Sequence, residues 1–153
     1  MSVDIVNADC SADLLTRVEA ALASNTPLRI RGGGSKDFYG RLVDGAPIDT
    51  RGHRGVVSYD PSELVVTVRA GTPLAELEAV LADAGQQFAC EPPHFGPGAT
   101  VGGMVAAGLS GPRRPWVGAV RDFVLGCRVI TGQGKHLRFG GEVMKNVAGY
   151  DLS

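Results

Sequence analysis

Two glycine-rich segments contain the residues of this sequence whose spacing best suits binding chemistry. The first, RGGGSKDFYG, places Gly32, Gly33 and Gly34 directly before Ser35 and Lys36. Consecutive glycines leave several backbone N–H groups unobstructed by side chains, and such a nest of amides favours an anion. This segment therefore predicts an anion-binding loop, to which Lys36 adds a positive charge.

The second segment, GPGATVGG at 96–103, repeats this chemistry further along the chain. It combines bare backbone at Gly98, Gly102 and Gly103 with a hydroxyl at Thr100, just ahead of a predicted helix N-terminus. Neither segment contains the G-x-G-x-x-G fingerprint or the Walker loop G-x-x-x-x-G-K-[ST]. We expect the two loops to hold one diphosphate from both sides. On local pattern alone, a tight turn at 32–34 and a simple helix cap at Thr100 are alternatives.

Three patterned elements precede or follow the first loop. ADLLTRVEAALAS, after Ser11 as a cap, has the apolar spacing of a helix that ends before Pro27. LRI at 28–30 predicts a short buried strand that leads into the triple glycine. VVSYDPSELVVTVRAG predicts strands at 56–59 and 64–69 with a turn at 60–62.

The second loop lies among elements of the other half of the chain. Thr72 as N-cap, Pro73 at the first position and Gly85 at the end delimit a predicted helix. TVGGMVAAGLSG predicts a short helix, and DFVLGCRVITGQGKHLRF predicts a hairpin that turns at 132–134. This order predicts an α+β fold, a single domain over 1–153 with subdomains at about 1–70 and 71–153.

Composition excludes several function classes. The chain has 153 residues, 22 of them glycine, and a net charge of −1, which excludes the basic surface of a nucleic-acid-binding protein. Its apolar runs are too short for a transmembrane segment, and the N-terminus has no secretory signal, so a cytoplasmic location is expected. The three cysteines have no disulfide or zinc spacing, and Cys90 with His94 does not make a metal site.

Four ordered blocks carry a resemblance to a known family. They are RIRGGGSKDFYG, PGATVGGMVAAGLSGPRR, VRDFVLGCRVITGQGKHLRFGG and KNVAGYDLS. In this order they resemble the FAD-binding domain of the vanillyl-alcohol oxidase/p-cresol methylhydroxylase (PCMH-type) superfamily, and within it the FAD-binding subunit of bacterial glycolate oxidase. The resemblance implies a small parallel α/β subdomain followed by a subdomain with a mixed or antiparallel sheet.

The resemblance also implies residue roles. The first loop is expected to donate N–H groups to the FAD diphosphate, and the second to contact the diphosphate, the ribityl chain and the flavin. The implied cofactor-binding residues are Gly32, Gly33, Gly34, Ser35, Lys36, Gly98, Ala99, Thr100, Val101, Gly102, Gly103, Ala107 and Gly108. Some relatives attach flavin covalently through His or Cys in these loops. Because Ser35 stands at the first-loop position and the second loop has no Cys, noncovalent FAD is expected.

A larger assembly is implied as well. Relatives continue beyond GYDL, so the chain is expected to be truncated, to lack the catalytic groups and to dimerise through an exposed sheet edge. The implied partners are a second flavoprotein subunit, an iron–sulfur subunit and a small 2-hydroxy acid substrate, and the partner subunits imply a peripheral place at the inner membrane. Arg113 and Arg114 are interpreted as surface charge. Trp116 is expected to be a packing residue in the interior, the alternative being a residue that stacks on the flavin. Two other hypotheses are a scaffold subunit that binds FAD poorly and a module for another nucleotide.

Overall fold

The protein is an α+β fold built around three separate two-stranded sheets. A computed structural model describes residues 6–141. In chain order the structure has one helix, four strands, three helices, a 3-10 helix and two strands. One sheet is parallel and two are antiparallel hairpins. The predicted fold class is therefore confirmed, while the KNVAGYDLS block lies outside the described residues.

The parallel sheet leads into the first glycine segment. Helix α1 spans Ser11–Ala23, strand β1 spans Leu28–Arg31, and β1 pairs in parallel with β2 at Ala46–Asp49. Strand β2 was not predicted, because Pro47 argues against a strand except at a sheet edge. The prediction that β1 is buried is wrong, since Ile30 is 76% exposed.

The start of α1 differs from the predicted capping. Ser11 is the first helical residue rather than the cap, and Cys10 occupies the cap position. The Asp9 carboxylate accepts hydrogen bonds from the Ser11 N–H at 3.0 Å and from the Ser11 hydroxyl at 2.6 Å. A carboxylate two residues upstream therefore does what the serine hydroxyl was expected to do.

The first hairpin agrees with its prediction. Strands β3 at Val56–Asp60 and β4 at Val65–Val68 pair antiparallel, with a register shift between Val56 and Ser58. The Asp60 carboxylate accepts the Ser62 N–H at 3.0 Å, which stabilises the turn.

Helix α2, Leu74–Asp83, begins two residues after the predicted cap. Pro73 holds the cap position. Thr72 is wholly buried, and its Oγ1 accepts the Gly55 N–H at 2.8 Å. The threonine hydroxyl therefore joins α2 to the β3 segment instead of capping the helix. Gly85 has a φ of +71°, which suits the predicted helix end.

The remaining elements surround the second glycine segment and the C-terminal hairpin. Helix α3 spans Val101–Ala107, α4 spans Arg114–Val117, and the 3-10 helix spans Val120–Phe123. Strands β5, Gly126–Ile130, and β6, His136–Gly140, form the predicted antiparallel hairpin. The expectation that Trp116 packs inside is wrong, because it is 81% exposed.

One apolar core connects α2, α3 and the 3-10 helix. Its buried members are Leu74, Leu77, Leu81, Cys90, Ala99, Val101, Met104 and Val120. Partly buried valines of β3 and β4 pack against them. The second glycine segment thus starts from a buried support, because Ala99 and Val101 belong to the core. None of the helices in residues 6–141 has both the length and the apolar character needed to cross a bilayer.

Candidate functional site

The first glycine loop, residues 32–36, follows β1 directly. The pairing of β1 with β2 stops where this loop begins. The last hydrogen bond runs from the Thr50 N–H to the Arg31 carbonyl at 3.0 Å. Within the described residues, the N–H groups of all five loop residues have no acceptor. Because the loop is only half-buried, these five donors are open to a ligand.

An ion pair closes the first glycine loop at its base. The Arg31 guanidinium donates to Asp37 Oδ2 from Nε at 3.0 Å and from Nη2 at 2.7 Å. The guanidinium lies against Gly34, where a Cβ would be 2.9 Å from Arg31 Cζ. Gly34 also has a φ of +71°, which favours glycine. The arginine thus closes the loop only because residue 34 has no side chain.

The second glycine loop, residues 98–103, divides into two functional parts. The N–H groups of Val101, Gly102 and Gly103 already donate to Thr72 O at 3.0 Å, Ala70 O at 2.7 Å and Thr100 Oγ1 at 3.2 Å. These bonds attach the start of α3 to the segment before α2, and Thr100 is a true cap.

The donors that remain in the second glycine loop precede α3. The N–H groups of Gly98, Ala99 and Thr100 have no acceptor in the part of the chain that the structure describes. This free part of the loop therefore adds three N–H groups to the five of the first loop.

The two glycine loops are in direct contact. A Cβ on Gly33 would overlap the carbonyl oxygen of Gly98 and lie 2.8 Å from its Cα, and a Cβ on Gly98 would lie 2.8 Å from the Gly33 oxygen. A Cβ on Gly32 would lie 2.6 Å from Thr100 Oγ1. The glycines were expected to leave the N–H groups unobstructed for an anion, but side chains at Gly33 and Gly98 are also excluded by the opposite loop. The juxtaposition itself is the one that was expected.

Buried unpaired donors indicate what the site can hold. Ala99 and Thr100 are 2% and 4% exposed, yet their N–H groups lack acceptors among residues 6–141. Buried backbone donors are nearly always paired, so a partner with oxygen acceptors fits this position. With eight free N–H groups on two touching loops, the chemistry fits a diphosphate such as that of FAD.

An aromatic contact joins the flanks of the two loops and was not predicted. The Phe38 and Phe95 rings meet edge to face, with centroids 5.1 Å apart and planes at 79°. Lys36 Nζ lies 5.8 Å from the centroid of Phe95. Burial lowers the pKa of Lys36 below its ordinary value. The aromatic residues of KDFYG and PPHFG were the only sequence signal for this contact, because distant rings give no periodic pattern.

Ala107 and Gly108 lie apart from the glycine loops. They are the last residue and the C-cap of α3, about 10 Å along the helix axis from its start. Gly108 has a φ of +61° and lines a cavity of about 200 Å³ together with Val105, Ala119 and Val120. The structure therefore brings eleven of the thirteen predicted residues together and places these two at the other end of the helix.

Other polar side chains near the second loop pair with one another. Arg113 Nε lies 2.9 Å from Glu91 Oε1, and His94 Nε2 lies 2.9 Å from Glu78 Oε1. Among residues 6–141, no group of three or more His, Cys, Asp or Glu side chains has the arrangement of a metal site. The three cysteines are free thiols, and burial raises the pKa of Cys90.

Relatives and solved structures are similar to this chain over most of its length. It is 66% identical to the glycolate oxidase subunit GlcE of Escherichia coli over 95% of the chain and 41% of that protein. It is 29% identical to a D-lactate dehydrogenase of Archaeoglobus fulgidus over 97% of the chain and 33% of that protein. A structure of alkyldihydroxyacetonephosphate synthase matches in fold with a TM-score of 0.70 at 22% identity, covering 93% of the chain and 26% of that structure.

The chain therefore spans about two fifths of the length of GlcE and a third of the lactate dehydrogenase. A family model described as FAD binding domain matches residues 5–140, nearly all of the chain. The resemblance found in the four sequence blocks is thus confirmed, and FAD is the cofactor of this fold. The chain belongs to the FAD binding domain family.

Proposed function

We propose that this chain is the FAD-binding part of a flavoprotein that oxidises a small 2-hydroxy acid, in the manner of a glycolate oxidase subunit. The observation that carries the proposal is the contact between the two glycine loops, which together present eight backbone N–H groups without acceptors. The high identity to GlcE supports glycolate as the substrate class. When bound, FAD supplies the two-electron acceptor for oxidation of the alcohol carbon.

In this proposal the chain's own residues bind and orient the cofactor. The N–H groups of 32–36 and 98–100 donate to the diphosphate oxygens, and Lys36 adds a positive charge beside them. The N–H groups of 101–103 already donate within the protein and keep the second loop in place. These three residues contact the cofactor through their other atoms. In this proposal Ala107 and Gly108, which lie at the far end of α3, contact the flavin end of the cofactor rather than its diphosphate.

The attachment of FAD is noncovalent in this proposal. Some relatives attach flavin through a His or Cys in these loops, and this chain has Ser35 at the corresponding position of the first loop. The second loop has no cysteine. Acid precipitation of the purified protein is expected to release all flavin into the supernatant, and flavin retained in the pellet would contradict this part of the proposal.

We also propose the assembly that the relative's description as a subunit suggests. The protein is expected to act with a second flavoprotein subunit and an iron–sulfur subunit, in the cytoplasm and peripheral to the inner membrane. Co-purification with a tagged protein followed by mass spectrometry tests the partners, and fractionation of cells tests the location. A protein recovered alone and only in the soluble fraction contradicts this part.

Thermal denaturation with different ligands tests cofactor binding. The complete apoprotein is heated with FAD, FMN, ADP or NAD, because a ligand at 100 times its Kd stabilises the folded state by about 2.7 kcal/mol. FAD is expected to raise Tm most, ADP less, and FMN and NAD least. If NAD or ADP protects and FAD does not, the chain is another nucleotide-binding module. If none protects, it is a scaffold subunit, and the proposal is wrong.

A further inference from the structure

Lys36 is the cation of the first glycine loop whose charge is not neutralised. Arg31, at the base of the same loop, is paired with Asp37 at 2.7 Å. Lys36 has no carboxylate partner among residues 6–141. It is half-buried and is itself part of the loop that carries five free N–H donors. A full positive charge is therefore kept where an anion is expected to bind.

The face of Phe95 is what this ammonium meets. Phe95 lies just before the second glycine loop, and Lys36 Nζ is 5.8 Å from its ring centroid, within the range of a cation–π contact. Phe38 packs its ring edge to face against Phe95 at 5.1 Å and fixes the ring plane. Unlike a carboxylate, an aromatic face attracts an ammonium without neutralising its charge.

The backbone of Phe95 also indicates a specific use. Its φ of +52° lies in the left-handed region, which is uncommon for a bulky residue. The residue is nevertheless 53% exposed, so packing in the core does not account for the left-handed backbone. Residues with such a strained backbone cluster at active sites and ligand-binding positions.

We propose that Phe95 is a positioning residue that holds the Lys36 ammonium at the junction of the two loops, so that the diphosphate meets a cation already in place. This inference rests on the proposed function. In this arrangement a residue beside the second loop fixes the position of the cation of the first loop. Pre-placement increases affinity because fewer side-chain rotamers are lost on binding.

Titration of the complete apoprotein with FAD, followed by flavin fluorescence at low and high salt, tests the inference. Phe95→Leu is expected to weaken binding about threefold to tenfold at low salt. Phe95→Tyr keeps the ring and the same backbone strain, and it is expected to bind like the wild type. Phe123→Leu removes another half-exposed ring, one with no aromatic or cationic partner among residues 6–141, and is the matched control.

A double-mutant cycle shows whether Phe95 acts through Lys36. In a Lys36→Met background, which also lowers the salt dependence of binding, Phe95→Leu is expected to have no further effect. Equal losses in both backgrounds, or failure of Phe95→Tyr to restore affinity, would overturn the inference and leave FAD binding intact. A wild-type protein that does not bind FAD overturns the inference together with the proposed function.

Discussion

Replacing Gly33 by alanine tests the contact between the two glycine loops most directly. The new methyl carbon would overlap the Gly98 carbonyl oxygen, and both partners are backbone, so no side chain can rotate away. An ordinary carbon–oxygen contact needs the loops to separate by on the order of 2 Å. Overpacking of this kind costs about 1–3 kcal/mol of folding free energy.

The separation has a larger effect on cofactor binding than on stability. A hydrogen bond of normal length is broken by a shift of this size, and a bond to a charged acceptor contributes about 1.5–3 kcal/mol. Loss of even one diphosphate contact therefore weakens FAD binding by about tenfold to a hundredfold. Because the rest of the fold has its own core around Leu74 and Leu77, the circular dichroism spectrum is expected to be unchanged.

Gly132→Ala is the matched control for this experiment. Gly132 lies in the β5–β6 turn, its φ is not in the left-handed region, and a Cβ there meets nothing within 4 Å. Urea denaturation and FAD titration are measured for both variants in the complete protein. If Gly33→Ala binds FAD as tightly as Gly132→Ala does, the loops do not act together and the site is wrongly placed.

Three further predictions follow from single side chains. Because burial lowers the pKa of Lys36, FAD affinity is expected to fall as the pH rises through that lowered pKa, and Lys36→Met flattens the profile of Kd against pH. Thr100→Val removes the oxygen that accepts the Gly103 N–H, and urea denaturation is expected to show a loss of about 1 kcal/mol that Thr100→Ser does not show. The hydroxyl of Ser11 holds the pKa of Asp9 well below 3.8. The charged Asp9 carboxylate therefore stabilises the fold at neutral pH, and this stabilisation is lost as the pH falls through the lowered pKa. Asp9→Asn is expected to lower Tm at neutral pH and to match the wild type at the acid end.

Patterns local in sequence predicted most of the elements but not their capping or their exposure. The hairpins and the three longer helices follow from apolar spacing and turn residues, which act over a few positions. Both helix caps were misplaced by one residue, because the Asp9 carboxylate accepts the Ser11 N–H and the Thr72 hydroxyl accepts the distant Gly55 N–H instead of capping α2. The exposure of Ile30 and Trp116 could not be predicted, because burial depends on which distant segment covers a side chain.

The composition of the glycine segments predicted where the candidate site lies, but for an incomplete reason. A run of glycines was interpreted as room for a ligand, whereas Gly33 and Gly98 are small because each contacts the other's backbone. Sequence alone does not distinguish these two causes, since both need the absence of Cβ. Likewise the Phe38–Phe95 contact joins residues too far apart in the chain to form a pattern.

Contact between the loops has a consequence for how the site binds an anion. If each loop were separate, its free N–H groups would have to be ordered by the ligand, and that entropy would be subtracted from the affinity. Here the Arg31–Asp37 pair closes one loop, the Gly102 N–H attaches the other to Ala70, and Gly33 joins the two. Changes at these three places are therefore all expected to weaken FAD binding, although none of them deletes an N–H group that could donate to the diphosphate.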